Sequence, residues 1–417
     1  MIVNGIIAEY NPFHNGHQHH LDQCRKITGA DYSIVVLGSN FTQRGEPALL
    51  DKFVRAKMAL ESGADLVIEL PISHTAASAE YFATGAVSIL DQLGVVDHLC
   101  FGSECGNTEV LRSFAEILLE EPEGYSKNLK SGLAAGHSYP SARNRAITDY
   151  APALAMHENV LGFPNNILGI EYIKAILKLD SSMKPLTIPR AGSGYHDRML
   201  SSTYVSAKAI REALLSSDEA TVIDSLRGQI PEAAHQTLKQ SLAETPPITL
   251  NDFSEMLLYQ LLMTRDRGYD RFVDVNDELA DRIGNQLNSY QDYAAFCNQL
   301  KSKNMTYTRI SRCLLHILLD YTKEDLQAFG NDGKVPYARV LGFRKEAAPL
   351  MTELQNKSEI PVITKLAEAK NQLSPHAYEL LCKDLRRGQI FESVAARKTG
   401  RALRDERQIP LVIKSFR

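Results

Sequence analysis

Val3-Asn4-Gly5-Ile6-Ile7-Ala8-Glu9-Tyr10-Asn11-Pro12-Phe13-His14-Asn15-Gly16-His17 decides the fold. A short run rich in β-branched residues, 3–9, stops at Asn11-Pro12, and apolar residues then recur at helical spacing over 16–27. That is a strand, a polar loop and a helix start. In open parallel sheets ligands bind where a strand's carboxyl end meets a helix N-terminus, whose free N–H groups and dipole suit phosphate. Gly16 lets a ligand approach the backbone closely. His14 and His17, three residues apart, can both aim N–H donors at one phosphate and stabilise charge that builds there as one bond to phosphorus forms and another breaks. Two other readings fit the same residues: a turn carrying surface histidines, or a metal site from His14, His17, His19 and His20.

Moving outward, Tyr32–Gly38, Leu66–Leu70, 98–101 and 184–190 are further short strand candidates, apolar on both faces and bounded by Gly, Pro or Asn. Strands of that kind are covered by helices on each side. Helical spacing over 50–62, 76–93 and 206–215, and a mostly helical stretch over 107–180, supplies the cover. The pattern predicts an α/β fold, a Rossmann-like parallel sheet with helical insertions. Pro246-Pro247 followed by Thr249, Asn251 and Asp252 marks a linker that caps a new helix. Beyond it 253–263 and 310–319 are amphipathic helices, so the chain divides into 1–243, an α/β unit, and 244–417, a mostly α-helical unit.

Other nucleotide signatures are absent. No Gly-x-x-x-x-Gly-Lys-[Ser/Thr] loop occurs, and no Gly-x-Gly-x-x-Gly follows the first strand. Gly102 stands where the fourth strand would meet a nucleotide, and Asn165 and Asn166 stand just before a helix, placed to hold a base edge or to cap that helix. Cations for the outer phosphates would come from Arg190 and from Ser206-Ala207-Lys208-Ala209-Ile210-Arg211. The loop Gly38-Ser39-Asn40-Phe41-Thr42-Gln43-Arg44-Gly45-Glu46-Pro47 lies over the same sheet edge. With Lys52 and Arg55 on the helix after it, it is the place for a second substrate to meet the nucleotide, or for Arg44 and Glu46 to form a surface pair.

Of the 417 residues, 44% are hydrophobic and 23% charged, which excludes disorder and collagen-like fibres. No run of about 18 apolar residues occurs, and Met1-Ile2-Val3-Asn4 leads straight into strand sequence without a signal-peptide pattern, so no membrane partner and a cytoplasmic location are expected. Six cysteines without a Cys-x-x-Cys pair read as reduced thiols. The net charge of −4 conceals an asymmetry: residues 301–417 hold 22 Lys and Arg against 13 Asp and Glu. A basic end points to a polyanionic partner, although solvated helix faces produce the same excess. Lys301, Lys303, Arg309 and Arg312 form one basic group, and Arg339, Arg344 and Lys345 another.

The His-x-Gly-His pattern resembles the signature of the nucleotidyltransferase superfamily. Longer blocks resemble one of its branches: Gly63-Ala-Asp-Leu-Val-Ile-Glu-Leu-Pro71, Phe101-Gly-Ser-Glu104, Ser138-Tyr-Pro-Ser-Ala-Arg143, Pro164-Asn-Asn-Ile-Leu-Gly-Ile-Glu-Tyr172, Tyr307-Thr-Arg-Ile-Ser-Arg312 and Tyr337-Ala-Arg-Val-Leu-Gly-Phe343. By these, and by the loop after the second strand, the chain resembles the bacterial tRNA(Met) cytidine acetate ligase family over nearly its whole length. The resemblance implies adenylation of acetate by ATP with release of pyrophosphate, then acetyl transfer to the wobble cytidine of elongator tRNA(Met), giving 4-acetylcytidine. It implies ATP contacts from Ile7 through His17 and from His20, Gly102, Asn165, Arg190 and Ser206, with His14, His17 and Arg211 stabilising the reacting phosphate. Magnesium is expected because ATP carries it, and no metal ligand in the protein is assigned. For acetate and RNA the expected residues are Ser39, Asn40, Gln43, Arg44, Lys52, Arg309, Arg312 and Arg339. A ligase acting on a small-molecule acceptor, and a non-catalytic tRNA-binding protein, are the two alternatives to that reading.

Overall fold

The structure, a computed structural model, describes residues 1–190, 205–216, 219–302, 305–330 and 332–415; Lys303 lies outside them. Five strands form a parallel sheet: β1 (Val3–Ala8), β2 (Tyr32–Gly38), β3 (Leu66–Leu70), β4 (His98–Ser103) and β5 (Lys184–Pro189), in the order β5-β4-β1-β2-β3. The period-2 alternation of side chains sends Ile34 and Val36 to one face of β2 and Val35 and Leu37 to the other, and all four are fully buried. Each face has its own core. Ile34, Val36, Leu66 and Ile68 pack with the helices Ala79–Gln92 and Pro164–Lys178, while Ile6, Val35, Leu37 and Val67 pack with α1 (Asn15–Thr28), α2 (Lys52–Glu61) and the helices Ala207–Ser216 and Glu232–Glu244.

The chain leaves β1 toward β2 and β3 on one side and returns to β4 and β5 on the other. The strand order therefore reverses between β1 and β4, where a crevice opens at the carboxyl ends. Register confirms the neighbours: Ile7 lies beside Val36, Gly5 beside Leu99, and Gly102 beside Ile188.

The predicted capping after the linker is found. Thr249 and Asp252 form a reciprocal capping box at the start of Leu250–Phe253, and the helix Ser254–Thr264 follows. The remainder is mostly helical, as the pattern predicts, and it also carries three short strands that the pattern does not show. After the helices between 254 and 327, Ala338–Arg344 (β6) pairs antiparallel with β3, with a bulge between Val67 and Ile68. Val362–Ile363 (β7) and Val412–Lys414 (β8) then pair parallel with β6. Residues beyond 243 thus complete the sheet as well as building a helical layer.

That helical layer has a third core around Phe253, Leu257, Phe272, Tyr293, Phe296 and Leu314, and Phe41 of the loop after β2 inserts into it. Phe41 packs edge-on against Phe391 at 5.9 Å and tilted against Phe253 at 5.6 Å. Truncating such a buried ring costs about 3–5 kcal/mol. The helical layer is thereby fastened to the loop that borders the crevice.

Candidate functional site

At the end of β1 the chain must turn sharply to start α1, and Tyr10 takes the left-handed conformation, φ 46°. Its ring is buried against Phe13 at 4.7 Å and His17 at 4.8 Å, packing that offsets the backbone cost. His14 is then the N-cap of α1. Its Nδ1 accepts the Gly16 N–H at 3.0 Å, and the Nδ1 of His17 accepts the His14 N–H at 3.3 Å. This is a capping box in which imidazoles take the places usually held by hydroxyl and carboxylate. The two rings stack with centroids 3.8 Å apart.

Because both Nδ1 atoms accept backbone protons, the neutral rings carry their own protons on Nε2. Burial, with Arg190 and Arg211 nearby, pushes His14 down to about 3, and burial with His14 and Arg190 beside it holds His17 well below the ordinary value of 6.5. His20, buried and hydrogen-bonded to the Phe101 backbone, lies at about 4. The imidazoles are therefore neutral N–H donors at neutral pH. Gly16 has a specific cause as well: a Cβ there would lie 2.8 Å from Cε1 of His14, displacing the ring that caps the helix.

A cavity of about 430 Å³ opens over these rings at the crevice between β1 and β4. Of the residues expected to hold ATP, Ile7, Ala8, Glu9, Tyr10, Asn11, His14, Gly16, His17, His20, Gly102, Asn165, Arg190 and Ser206 line it, as does Arg211. A Cβ at Gly102 would stand 3.5 Å from Cγ of Arg190 and 4.0 Å from Cδ2 of His20, so the glycine keeps open the space between them. Arg211 donates to the Asn11 carbonyl at 2.8 Å, which holds its guanidinium over the histidine loop. Ser206 accepts the Ala209 N–H at 3.2 Å and starts the helix on which Arg211 sits, while Lys208 faces solvent and pairs with Glu212.

The remaining three residues of the first loop stand outside the cavity lining. Phe13 is wholly buried in the core, Asn15 donates to the Gly228 carbonyl at 2.6 Å, and Pro12 is buried beside them. At the other wall the cap is Glu104. Its carboxylate accepts the Asn166 N–H at 3.0 Å and the Asn165 side-chain amide at 2.6 Å. Asn166 is spent bridging Cys105 and Val160, whereas Asn165 is oriented by Glu104 at the rim.

The residues expected for acetate and RNA fall into two groups. Gln43 and Arg44 line the cavity, and the Gln43 N–H donates to Oε1 of Glu9 at 2.7 Å. Arg309 and Arg312 lie near the start of the helix Tyr307–Leu318, which presses on the same loop: Ser311 donates to the Gly45 carbonyl at 2.8 Å. Gly45, at φ 74°, could carry no side chain there, since a Cβ would come within 2.3 Å of the Arg312 backbone. The Arg312 side chain pairs with Asp274 at 2.7 Å.

Ser39, Asn40, Lys52 and Arg339 are instead turned inward. Lys52, 2% exposed, meets Glu69 at 2.5 Å and also Glu406. Arg339, 7% exposed, meets Glu69 at 2.7 Å and Glu406 at 3.0 Å. Ser39 donates to Glu69 at 2.6 Å, and Asn40 accepts the Lys52 N–H at 2.9 Å. Two cations and two carboxylates thus neutralise one another beside the crevice. Lys52 and Glu69 lie 17 residues apart, but Arg339 and Glu406 come from the far end of the chain, beyond the reach of local spacing.

Sequence reasoning also underrated Arg55. Buried and lowered to about 10 by that burial, it donates to the carbonyls of Glu9 at 2.6 Å, Gly38 at 3.0 Å and Leu50 at 3.1 Å, tying the ends of β1 and β2 together. Phe82, Phe101, Leu168 and Tyr172 form an apolar wall of the cavity suited to the flat face of a base. They read in sequence as ordinary core positions. Among the described residues no group of three or more His, Cys, Asp or Glu converges to hold a metal ion.

Comparison with known proteins places this geometry. A family model described as HIGH Nucleotidyl Transferase matches residues 1–406. The tRNA(Met) cytidine acetate ligase of Acetivibrio thermocellus is 38% identical over 406 residues, 96% of this chain and 98% of its own. That of Halothermothrix orenii is 38% identical over 393 residues, 92% of each. The crystal structure of Thermotoga maritima TmcAL bound with alpha-thio ATP matches the whole of both chains at 31% identity with a TM-score of 0.88, and its apo form does so with a TM-score of 0.90.

Proposed function

Because the chain belongs to the HIGH nucleotidyltransferase family and, within it, to the tRNA(Met) cytidine acetate ligases, we propose that the cavity between β1 and β4 carries out both steps of that ligation. The enzyme uses ATP to activate acetate. An acetate oxygen attacks the α-phosphorus, the bond from that phosphorus to the bridging oxygen breaks, and pyrophosphate leaves. The amine of the wobble cytidine of elongator tRNA(Met) then attacks the acetyl carbonyl, AMP departs, and 4-acetylcytidine remains.

The observation that carries this reading is the pair of neutral imidazoles with Nε2–H groups at the N-terminus of α1. Donors held by backbone hydrogen bonds need little reorganisation as charge grows on the α-phosphate. Arg190 and Arg211 attract the outer phosphates, and the apolar wall of Phe101 and Tyr172 receives the adenine. Magnesium would arrive as the counter-ion of the triphosphate and balance its charge; no protein ligand is assigned to it.

Residues 1–243 serve as the catalytic unit and 244–417 as the tRNA-binding unit, although β6, β7 and β8 of the latter complete the sheet of the former. Arg312, whose backbone meets Gly45 next to Arg44, and Arg309, one turn earlier on the same helix, are the residues that would guide RNA toward the cavity. Lys301 and Arg386 are exposed as well. No helix among the described residues is long and apolar enough to cross a membrane, and the RNA substrate suits a cytoplasmic enzyme.

Incubation with total tRNA, acetate and ATP, followed by nucleoside analysis, tests the reading. It predicts 4-acetylcytidine only when all three are present. Acetate-dependent AMP formation that ignores tRNA would instead favour a small-molecule acceptor.

A further inference from the structure

Acetyl transfer needs something that the donors at α1 do not supply. As the cytidine amine forms its bond to the acetyl carbon, one N–H proton must leave, and a base must take it. His14 and His17 have no acceptor to spare, because both Nδ1 atoms hold backbone N–H groups and both Nε2 atoms carry protons. His20 is engaged with the Phe101 backbone and with Cys24 at 3.5 Å. Arg44, Arg190 and Arg211 are cations. Among the described residues lining the cavity, Glu9 is the one carboxylate.

Its geometry suits the task. Glu9 follows β1 directly, so a strand in the centre of the sheet sets its position. The Gln43 N–H fixes Oε1 at 2.7 Å, and Arg55 fixes the Glu9 carbonyl at 2.6 Å. Among the described residues no donor holds Oε2. We propose that Glu9 is the general base of the transfer step, accepting through Oε2 the proton of the cytidine amine. The N–C bond to the acetyl group forms, the C–O bond to AMP breaks and leaves its electron pair on the phosphate oxygen, and the proton passes to the Glu9 carboxylate. The assignment rests on the ligase reading above.

Charge around the carboxylate comes from three elements: Arg44 on the loop after β2, Arg55 on α2 and Arg211 on the helix Ala207–Ser216, with Tyr172 facing it from the helix Pro164–Lys178. Burial outweighs the arginines and raises Glu9 above the ordinary carboxylate value, making it a stronger base than an exposed glutamate. The first step makes no such demand, because acetate enters already ionised.

The two half-reactions separate the proposal from its premise. Glu9→Gln keeps an acceptor for the Gln43 N–H but cannot take a proton. Acetate-dependent exchange of pyrophosphate into ATP reports adenylation, and single-turnover transfer from preformed acetyl-adenylate to tRNA reports the second step. The expected result is a fall of about 100-fold or more in transfer relative to exchange, together with loss of the acidic limb of the transfer pH profile. An unchanged ratio overturns the proposal, whether both steps survive or both fall together. So does a selective loss of transfer in His19→Gln, which lines the same cavity, with Glu9→Gln retaining transfer. Absence of acetate-dependent exchange in the wild-type enzyme would sink the ligase reading itself, before Glu9 is in question.

Discussion

The rings of His14 and His17 stack 3.8 Å apart, and the backbone N–H of His14 is bound by the side chain of His17. One pair of residues therefore starts α1 and, in the proposed function, also supplies the donors at the reacting phosphate.

This double use can be split by mutation. His14→Ala removes the helix cap and one donor, so it should lower stability by about 1 kcal/mol and reduce adenylation by about 100-fold. His14→Asn restores a good cap without restoring the donor at the same place. Urea unfolding should return toward wild type while activity stays low; recovery of both would deny the imidazole its part in the chemistry.

Gly16→Ala places a methyl 2.8 Å from the His14 ring. Alanine is favoured over glycine in a helix by about 1 kcal/mol, which offsets the cost of displacing the cap. Stability should change little while kcat for adenylation falls at least tenfold, by about 1.4 kcal/mol or more in the barrier. Thermal unfolding and pyrophosphate exchange measured on the same preparation check the dissociation of the two.

Acid should weaken the free protein before exposed carboxylates titrate. His14 at about 3, and His20 and His74 at about 4, are held below 6.5 chiefly by burial. The unfolded chain therefore binds protons that the folded chain refuses. The stability these groups contribute is complete above pH 6.5 and is lost as pH falls toward 4 and then 3. By pH 5.5 the loss is on the order of 1 kcal/mol per histidine. Urea midpoints at pH 7.5 and 5.5 measure it, and equal midpoints would mean that these imidazoles are not buried as described.

Glu406 closes the buried group of Lys52, Arg339 and Glu69 from the C-terminal end of the chain. Glu406→Gln leaves two buried cations facing one carboxylate and should cost about 3 kcal/mol of stability, with tRNA affinity per folded molecule unchanged. Were Lys52 and Arg339 RNA contacts, charge changes in this group would alter affinity and its salt dependence instead.

That group also marks where the sequence stops being legible. The strand and loop from Val3 to His17 could be read because their signals are local: alternating apolar residues, a proline stop, and a glycine beside two histidines. The sheet edge could not. Tyr337-Ala-Arg-Val-Leu-Gly-Phe343 was visible as a motif, yet nothing within it tells that it lies antiparallel to β3, some 270 residues away, and Tyr337 proves to be core, 2% exposed. Lys52 and Arg339 look like solvent-facing cations until Glu69 and Glu406 are beside them. Ser39 and Asn40 likewise read as ligand donors because their internal acceptors are set by tertiary packing. Glu104 in the cap of a distant helix, and Arg55 binding four backbone carbonyls, belong to the same class.

The central claim is that acetate attacks the α-phosphorus of ATP, and oxygen tracing tests it most directly. With acetate labelled by 18O in its carboxylate, one labelled oxygen must remain on phosphorus when the acetyl group leaves for cytidine. Mass spectrometry of the products should find one 18O in AMP and none in pyrophosphate. AMP free of label, or label in pyrophosphate, would contradict the account.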